Sequence, residues 1–364
     1  MVTSRVRTVR LATVAVTLSL TLALCSCAAN ELNVESDSTL AGILLGDGAS
    51  SQKAAQDVWV AAFQTAHPRT TIEYNPIGSG SGREAFEAGA NAFAGSDRPF
   101  QLEEIAEKTF TACAPGSGIV EIPAYISPIA IVFNLDGIDS LKLDAGTIAR
   151  IFSRDIRQWD DEAIGRQNPG VELPDATITA IHRADDSGVT ENFTEYLAAA
   201  APQEWRSEPS GEWPLHGGEA ANQTSGVVSS VTSGVGTIAY VDGSRAADLN
   251  KIAVTVGDDH VLPSASAAAA IVDASPMETG RTPGDLVIQL DRTTTADGVY
   301  PIVLISYLIG CVEYRDAATA ELVKSYLDFV ISDSAQLRAQ EYAGSAPISA
   351  GLFERASAAT ALIH

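Results

Sequence analysis

Positive charge is what this sequence has least of. Twenty-three Lys and Arg stand against forty-six Asp and Glu, a formal charge of −23. So acidic a surface argues against nucleic acid as a partner and against a polybasic membrane patch. It does not exclude a buried anion site built from oriented N–H groups and one well-placed cation. Catalytic signatures are missing as well. There is no Gly-x-Ser-x-Gly elbow and no Gly-Lys-Ser/Thr phosphate loop. His67, His182, His216 and His260 show no His-Glu-x-x-His or paired metal spacing. Long apolar runs are absent too. The apolar stretches at 11–24 and 300–312 hold fourteen and thirteen residues, and a spanning helix needs about 20. The second reads as a buried strand.

The N-terminus has the shape of a secretory signal, with Arg5, Arg7 and Arg10 ahead of the apolar run. The run ends in Leu24-Cys25-Ser26-Cys27, which resembles the lipobox of bacterial lipoproteins. That resemblance implies a signal peptide over 1–26, a lipid on the Cys27 thiol and a polar tether over 27–38. Ordinary secretion is the alternative. Cys25 leaves with the signal and Cys27 takes the lipid, so Cys113 and Cys311 remain. In an exported protein they suggest one disulfide, with two buried thiols as the alternative.

About 335 mature residues are more than one hydrophobic core usually serves, so two domains are expected. Apolar content of 46% with 19% charged residues is that of a globular chain. From residue 40 onward, short apolar runs alternate with helical stretches, which is an α/β pattern. Strands are expected at 40–45, 71–75, 178–181, 236–241, 281–292 and 300–312. The stretch 119–135 is long and extended, broken by Pro123 and Pro128, and suits a crossing between domains. Helices are expected at 51–66, from 83, at 190–200, 226–232, 264–272 and 317–331, with a last one at the C-terminus. In the first, Ala55, Trp59 and Phe63 with Val58 and Ala62 form the buried face. Residues 144–152 and 154–168 read as helical or turn-like.

Three segments share one order of strand, Gly/Ser-rich loop and helix. They are Gly46-Asp47-Gly48-Ala49-Ser50-Ser51, Gly78-Ser79-Gly80-Ser81-Gly82 and Arg183-Ala184-Asp185-Asp186-Ser187-Gly188-Val189. Free N–H groups at a helix start, helped by the macrodipole, favour anions, and each serine adds a hydroxyl donor. A fourth segment, Phe93-Ala94-Gly95-Ser96-Asp97-Arg98-Pro99, places a carboxylate after an apolar strand. An ionised Asp only accepts hydrogen bonds, so it suits an oxyanion that still carries a proton and repels one that does not. A simple turn-capping role for Asp97 is the alternative.

These four segments, in this order and spacing, resemble the phosphate-binding proteins of ABC phosphate importers, the PstS family. Trp159-Asp160-Asp161-Glu162-Ala163-Ile164, Asn168-Pro169-Gly170 and Gly234-Val235-Gly236-Thr237-Ile238-Ala239-Tyr240-Val241 strengthen the match, which runs from about residue 40 to the C-terminus and is weakest over 250–298. The resemblance implies a two-lobed periplasmic-binding fold of type II, with mixed sheets flanked by helices. Lobe I would hold 39–125 plus 303–364, lobe II 126–302, with two hinge crossings. It further implies phosphate ligands at Ser50, Ser51, Ser79, Asp97, Arg183, Ser187, Gly188 and Val189, backbone N–H groups at Ala49 and Ser51, and an Arg183 braced by Asp185. No metal or cofactor is required. The implied partners are inorganic phosphate, the importer's permease subunits and, through the lipid, the outer face of the membrane. The chain is expected to be a monomer and not an enzyme.

Three departures bear on the site. Val189 stands where the family usually has Thr, with Thr190 next to it. Asp47 and Asp186 add carboxylates where the family has a small apolar residue and a Gly, and Ser51 replaces a frequent aromatic. Extra carboxylates weaken anion binding unless they point to solvent. His182 reads as lying on the face of its strand away from the site. Rival readings are a binder of sulfate or molybdate, a secreted phosphatase and a surface protein that senses phosphate.

Overall fold

A computed structural model describes residues 38–364. The expected signal, the lipid-bearing Cys27 and all of the tether but Ser38 lie outside the described residues. From the N-terminus, β1 (Ala41–Gly48) leads through a tight turn at Ser50–Gln52 into α1 (Lys53–Ala66), β2 (Arg69–Asn75), α2 (Ser79–Glu87), β3 (Phe93–Ser96) and α3 (Leu102–Glu107). The middle of the chain forms β4 (Ile119–Asn134), β5 (Ser140–Leu143), α4 (Ala145–Phe152), α5 (Glu162–Gln167), β6 (Thr179–Arg183), α6 (Gly188–Ala200), β7 (Glu219–Ala221), α7 (Gln223–Ser233), β8 (Thr237–Asp242), β9 (Asn250–Val256), β10 (Asp259–Val261) and α8 (Ala265–Ala274). The C-terminal part is β11 (Val303–Cys311), α9 (Ala317–Ile331), α10 (Asp333–Ala343) and α11 (Ala350–Thr360). None of the described helices is long and apolar enough to cross a membrane.

The strands run in the order β2-β1-β3-β11-β4-β8-β6-β7, with β9 joined to β4, β5 and β10. One strand unites this arrangement. Residues Ile119–Pro128 of β4 pair antiparallel with β11, and Ile129–Asn134 pair antiparallel with β8. The change of partner falls at Pro128, which has no N–H to give to a ladder. All of β4 but Asn134 is buried, which is why its sequence is apolar almost throughout instead of alternating. The long extended stretch expected at 119–135 therefore passes from one half of the sheet to the other.

On α1, Ala55, Trp59 and Phe63 are fully buried as their spacing predicts. Trp59 Nε1 donates to the Ala335 carbonyl at 2.9 Å, and the Phe63 and Tyr326 rings meet edge-on at 5.3 Å. Val58 and Ala62 are half-buried, and Gln56 takes a fully buried place on that face instead.

Residues 281–292 do not form the strand that Leu286, Ile288 and Leu290 suggest. Pro283-Gly284 turns the chain, and pairing is reduced to single bridges, Glu121 with Asp285 and Met277 with Ile288. The segment is held by points: Leu286 N–H donates to the Glu121 carbonyl and Ile288 N–H to the Tyr307 hydroxyl at 3.2 Å. Within 154–168 only Glu162–Gln167 is helical. Strands β5, β7, β9 and β10 and helices α3 and α10 were not foreseen.

Cys113 and Cys311 are joined in a disulfide with a sequence separation of 198. It ties the end of β11 to the segment before β4. Such a long loop restricts the unfolded chain strongly. Replacing both cysteines by Ala is expected to cost roughly 2–5 kcal/mol in urea unfolding, with the native far-UV spectrum retained.

Candidate functional site

The four sequence segments come together. Ala49 N–H donates to the Gly95 carbonyl and Gly78 N–H to the Gly48 carbonyl, each at 2.8 Å, so the loops after β1, β2 and β3 are knitted side by side. Each helix that begins here has an unusual start. No side chain caps the turn after Ala49, the start of α2 after Gly78 or the start of α6 after Ser187. Away from this place the starts are capped: Asp144 accepts from Thr147 N–H, Asp161 from Ala163, Ser264 from Ala267, Asp316 from Thr319 and Ser332 from Ala335. Among the other described helices, α11 has no such bond, the first N–H of α7 is taken by Asp185, and at α3 Glu104 accepts from the Gln101 N–H. First-turn N–H groups left without a cap are donors for an outside acceptor.

Asp97 stands at the centre, only 3% exposed. Ser51 Oγ donates to its carboxylate, 2.6 and 2.7 Å from the two oxygens, and Ser306 Oγ donates to Oδ1 at 2.5 Å. Its own N–H donates to Ser79 Oγ at 3.1 Å. Burial pushes the Asp97 carboxyl up, and the Ser306 and Ser51 hydroxyls and the Arg183 charge pull it back. From the other half of the sheet, Asn192 Nδ2 donates to the Asp97 carbonyl at 2.6 Å. Gly188 comes so close that a Cβ there would lie 2.5 Å from Asp97 Cβ and 2.9 Å from Ser79 Oγ. Glycine is the residue that permits this approach.

Arg183 ends β6 and is also 3% exposed. Its Nε donates to Asp185 Oδ1 at 2.8 Å and its Nη2 to Asp185 Oδ2, the forked pairing of guanidinium and carboxylate. Asp185 also accepts the Gln223 N–H at 2.9 Å. Burial opposes the Asp185 charge, but the Arg183 bonds outweigh it and hold the carboxyl below its usual range.

Other predicted residues are placed as follows. The Ser50 hydroxyl does not reach Asp97; it meets Thr224 Oγ1 at 3.0 Å. Ser187 is buried and its N–H donates to the Gly211 carbonyl at 3.0 Å. The Val189 side chain packs in the core, and the Thr190 hydroxyl is engaged with the Tyr240 hydroxyl at 2.8 Å, so Thr190 does not replace the missing one. Asp47 Oδ2 accepts from Asn91 at 3.1 Å. Asp186 does not turn to solvent: its carboxylate lies between Gly80 and Gly211, 2.0 Å from where a Cβ on either would stand. His182 stacks on Trp213 at 5.0 Å, away from Asp97. Ser306 and Asn192 were missed. Their signals were a lone serine in a largely apolar strand and an amide on the core face of a helix. A cleft of about 340 Å³ borders Asp97 and is lined also by Arg98, Asn192, Glu195, Arg292 and Tyr307.

A second charged contact joins the same two halves. Arg98 Nε lies 2.6 Å from Glu191 Oε2 on α6, although its N–H is not aimed at that oxygen. Arg98 Nη1 also reaches Glu104 at 3.3 Å. Burial pushes Glu191 up to about 7; Glu195, Asp186 and Glu104 add to this and Arg98 opposes it. Asp242, bonded to the Tyr125 hydroxyl at 3.0 Å, is raised by burial to about 6.

A family model described as a PBP superfamily domain matches residues 33–334. The chain is 35% identical over 297 residues to the phosphate-binding protein PstS 3 of Mycobacterium leprae, covering 79% of this chain and 78% of that one. It is 32% identical over 300 residues to PstS 2 of Mycobacterium tuberculosis, covering 79% of each. Among solved structures, a high-affinity periplasmic phosphate-binding protein bound with phosphate superposes with a TM-score of 0.70 at 21% identity, over 87% of this chain and 93% of that one. A putative phosphate ABC transporter substrate-binding protein from Clostridium perfringens gives 0.61 at 18%, over 85% and 100%.

The raised carboxyls make a pH prediction. Over the window from about 5 to 7 the folded chain holds protons on Glu191 and Asp242 that the unfolded chain has released. Stability therefore falls as pH rises through that window. Urea midpoints in phosphate-free buffer are expected to decline from about pH 5 to about pH 8. Glu191→Gln is expected to remove part of that decline, on the order of 2 kcal/mol.

Proposed function

The chain belongs to the PBP superfamily and, within it, to the PstS phosphate-binding proteins, and on that footing we propose that it captures inorganic phosphate outside the cytoplasm and delivers it to an ABC importer. The relatives carry the names of binding proteins, not of enzymes. The observation that carries the reading is the setting of Asp97. A buried carboxylate surrounded by hydroxyl donors, beside a braced Arg183 and three uncapped helix starts, accepts a hydrogen bond from a protonated oxyanion while the rest of the site donates. Phosphate keeps such a proton near neutral pH and sulfate does not. Val189 serves through its backbone N–H alone, and the Ser50, Ser51, Ser79, Ser187 and Gly188 donors complete the shell. The Arg183 fork supplies the one strong cation, tempered by Asp185.

The lobes we assign are 39–125 plus 303–364 and 126–302. The change of partner along β4 at Pro128, and the antiparallel β11 beside it, support this assignment. Closure about them brings Gly188 and Asn192 onto Asp97. Residues 1–26 act as an export signal and Cys27 carries the lipid that holds a monomeric chain on the outer face of the cell membrane.

Titration calorimetry on a fragment lacking residues 1–27, stripped of phosphate, tests the reading. Saturable one-to-one phosphate binding with sulfate inert is expected; heat from neither anion would refute it. Arg183→Lys, which keeps the charge but loses the fork, is expected to weaken phosphate by about tenfold or more. Asp97→Asn is expected to admit sulfate while weakening phosphate by a similar factor.

A further inference from the structure

Asp97 is the end of a buried chain of hydrogen bonds that reaches into the core. The Tyr326 hydroxyl contacts Gln56 Oε1 at 2.6 Å. Gln56 Nε2 contacts Gln52 Oε1 at 2.9 Å, Gln52 Nε2 contacts Ser306 Oγ at 2.6 Å, and Ser306 Oγ contacts Asp97 Oδ1. Tyr326, Gln56, Gln52 and Ser306 are each at most 1% exposed. The direction of this chain is not free. Gln52 Nε2 also lies 3.1 Å from the Tyr307 carbonyl, and a carbonyl only accepts, so that atom must be the amide nitrogen. Ser306 then receives a hydrogen from Gln52, and its own single hydrogen is left for Asp97. The other end agrees: Gln56 offers its carbonyl oxygen to Tyr326, and burial raises the tyrosine so strongly that it stays a hydroxyl. Gly95 is part of the arrangement, since a Cβ there would stand 2.8 Å from Gln52 Oε1 and 2.4 Å from the Tyr74 hydroxyl.

We propose that Ser306, oriented by Gln52 and Gln56, is a specificity-determining positioning residue: it forces Asp97 to remain an acceptor, so that the bound oxyanion must bring the proton. The ligand part of this rests on the phosphate reading above; the polarity of the chain does not. Two carboxylate oxygens are present. Ser306 holds Oδ1 and Ser51 spans both, and donors on both oxygens favour the ionised carboxylate over the protonated one. Among the effects opposing burial at Asp97, the Ser306 bond is the largest.

The test has two arms. In the first, the Asp97 carboxyl is titrated by carbon NMR in phosphate-free wild type and in Ser306→Ala. The midpoint is expected to rise by about one unit or more in the variant, and to return in Ser306→Thr. Gln52→Met is expected to shift it in the same direction by less, with no further shift in the double variant with Ser306→Ala; it also carries the test should Ser306→Ala not fold. An unchanged midpoint in Ser306→Ala, or in Gln52→Met in that case, overturns the proposal. In the second arm, the phosphate-to-sulfate affinity ratio is expected to fall about tenfold or more in Ser306→Ala, with the pH profile of phosphate binding displaced upward. A wild type that binds no phosphate sinks the function reading, while the NMR arm still decides the chain. A wild-type ratio and pH profile in Ser306→Ala overturn the specificity role.

Discussion

A carboxylate withdrawn from water loses several kcal/mol of hydration that only directed donors and a nearby cation restore. Asp97 has been withdrawn almost completely, and the site is organised by what it takes to keep that group in place. Ser51 comes from the turn ahead of α1, Ser306 from the middle of β11 and Arg183 from the end of β6. These residues lie far apart in sequence, and only the sheet order brings them together. β3 lies beside both β1 and β11, which places Ser51 and Ser306 around the end of the strand that carries Asp97. The remaining approach, from Arg183 and the start of α6, comes from strands that reach this place only through β4.

The dependence on β4 has a consequence for motion. A strand paired to one neighbour over ten residues and to another over six moves most easily where the ladders change hands. Pro128 sits at that point and Ile129 N–H crosses to the Ile302 carbonyl at 2.7 Å. Elsewhere the halves touch through Ser50 with Thr224, Asn192 with the Asp97 carbonyl and Arg98 with Glu191, and through residues 281–292, where the Leu286 and Ile288 N–H groups bond the Glu121 carbonyl and the Tyr307 hydroxyl. The first three contacts are polar, and their strength depends on exclusion of water. The disulfide and the packing of α1 against α10 lie within one half and do not resist such a rearrangement.

The loops of the site were legible in the sequence because their chemistry is local. A Gly/Ser segment between a strand and a helix declares its free N–H groups wherever it stands, and Arg183 and Asp185 are two residues apart. The strand β4 was legible because a strand buried on both faces is apolar without a break. What escaped depends on contacts between distant residues. Gln52 and Gln56 fall four residues apart where α1 begins, and nothing local says that Ser306 and Tyr326 wait there. Residues 281–292 carry a strand's alternation, yet pairing there is limited to isolated bridges. Val189 looked like a loss at an anion site, and only the structure shows its side chain in the core with the helix start unobstructed.

An acidic chain that receives an anion raises the question of why the surface does not repel it. Exposed charges are screened beyond about 8 Å at physiological ionic strength, so the field at Asp97 is set by its neighbours and not by the total of −23. Asp185 is spent on Arg183, and Asp47 on Asn91. Asp186 is the exception, wedged between Gly80 of one half and Gly211 of the other. A carboxylate at the uncapped start of α2 is favoured by the helix dipole, which makes it a competitor for the same first-turn N–H groups. On the reading proposed above, one carboxylate stands where a ligand's proton is needed and a second at the edge of the donor shell, and the balance between them sets how firmly an anion is held.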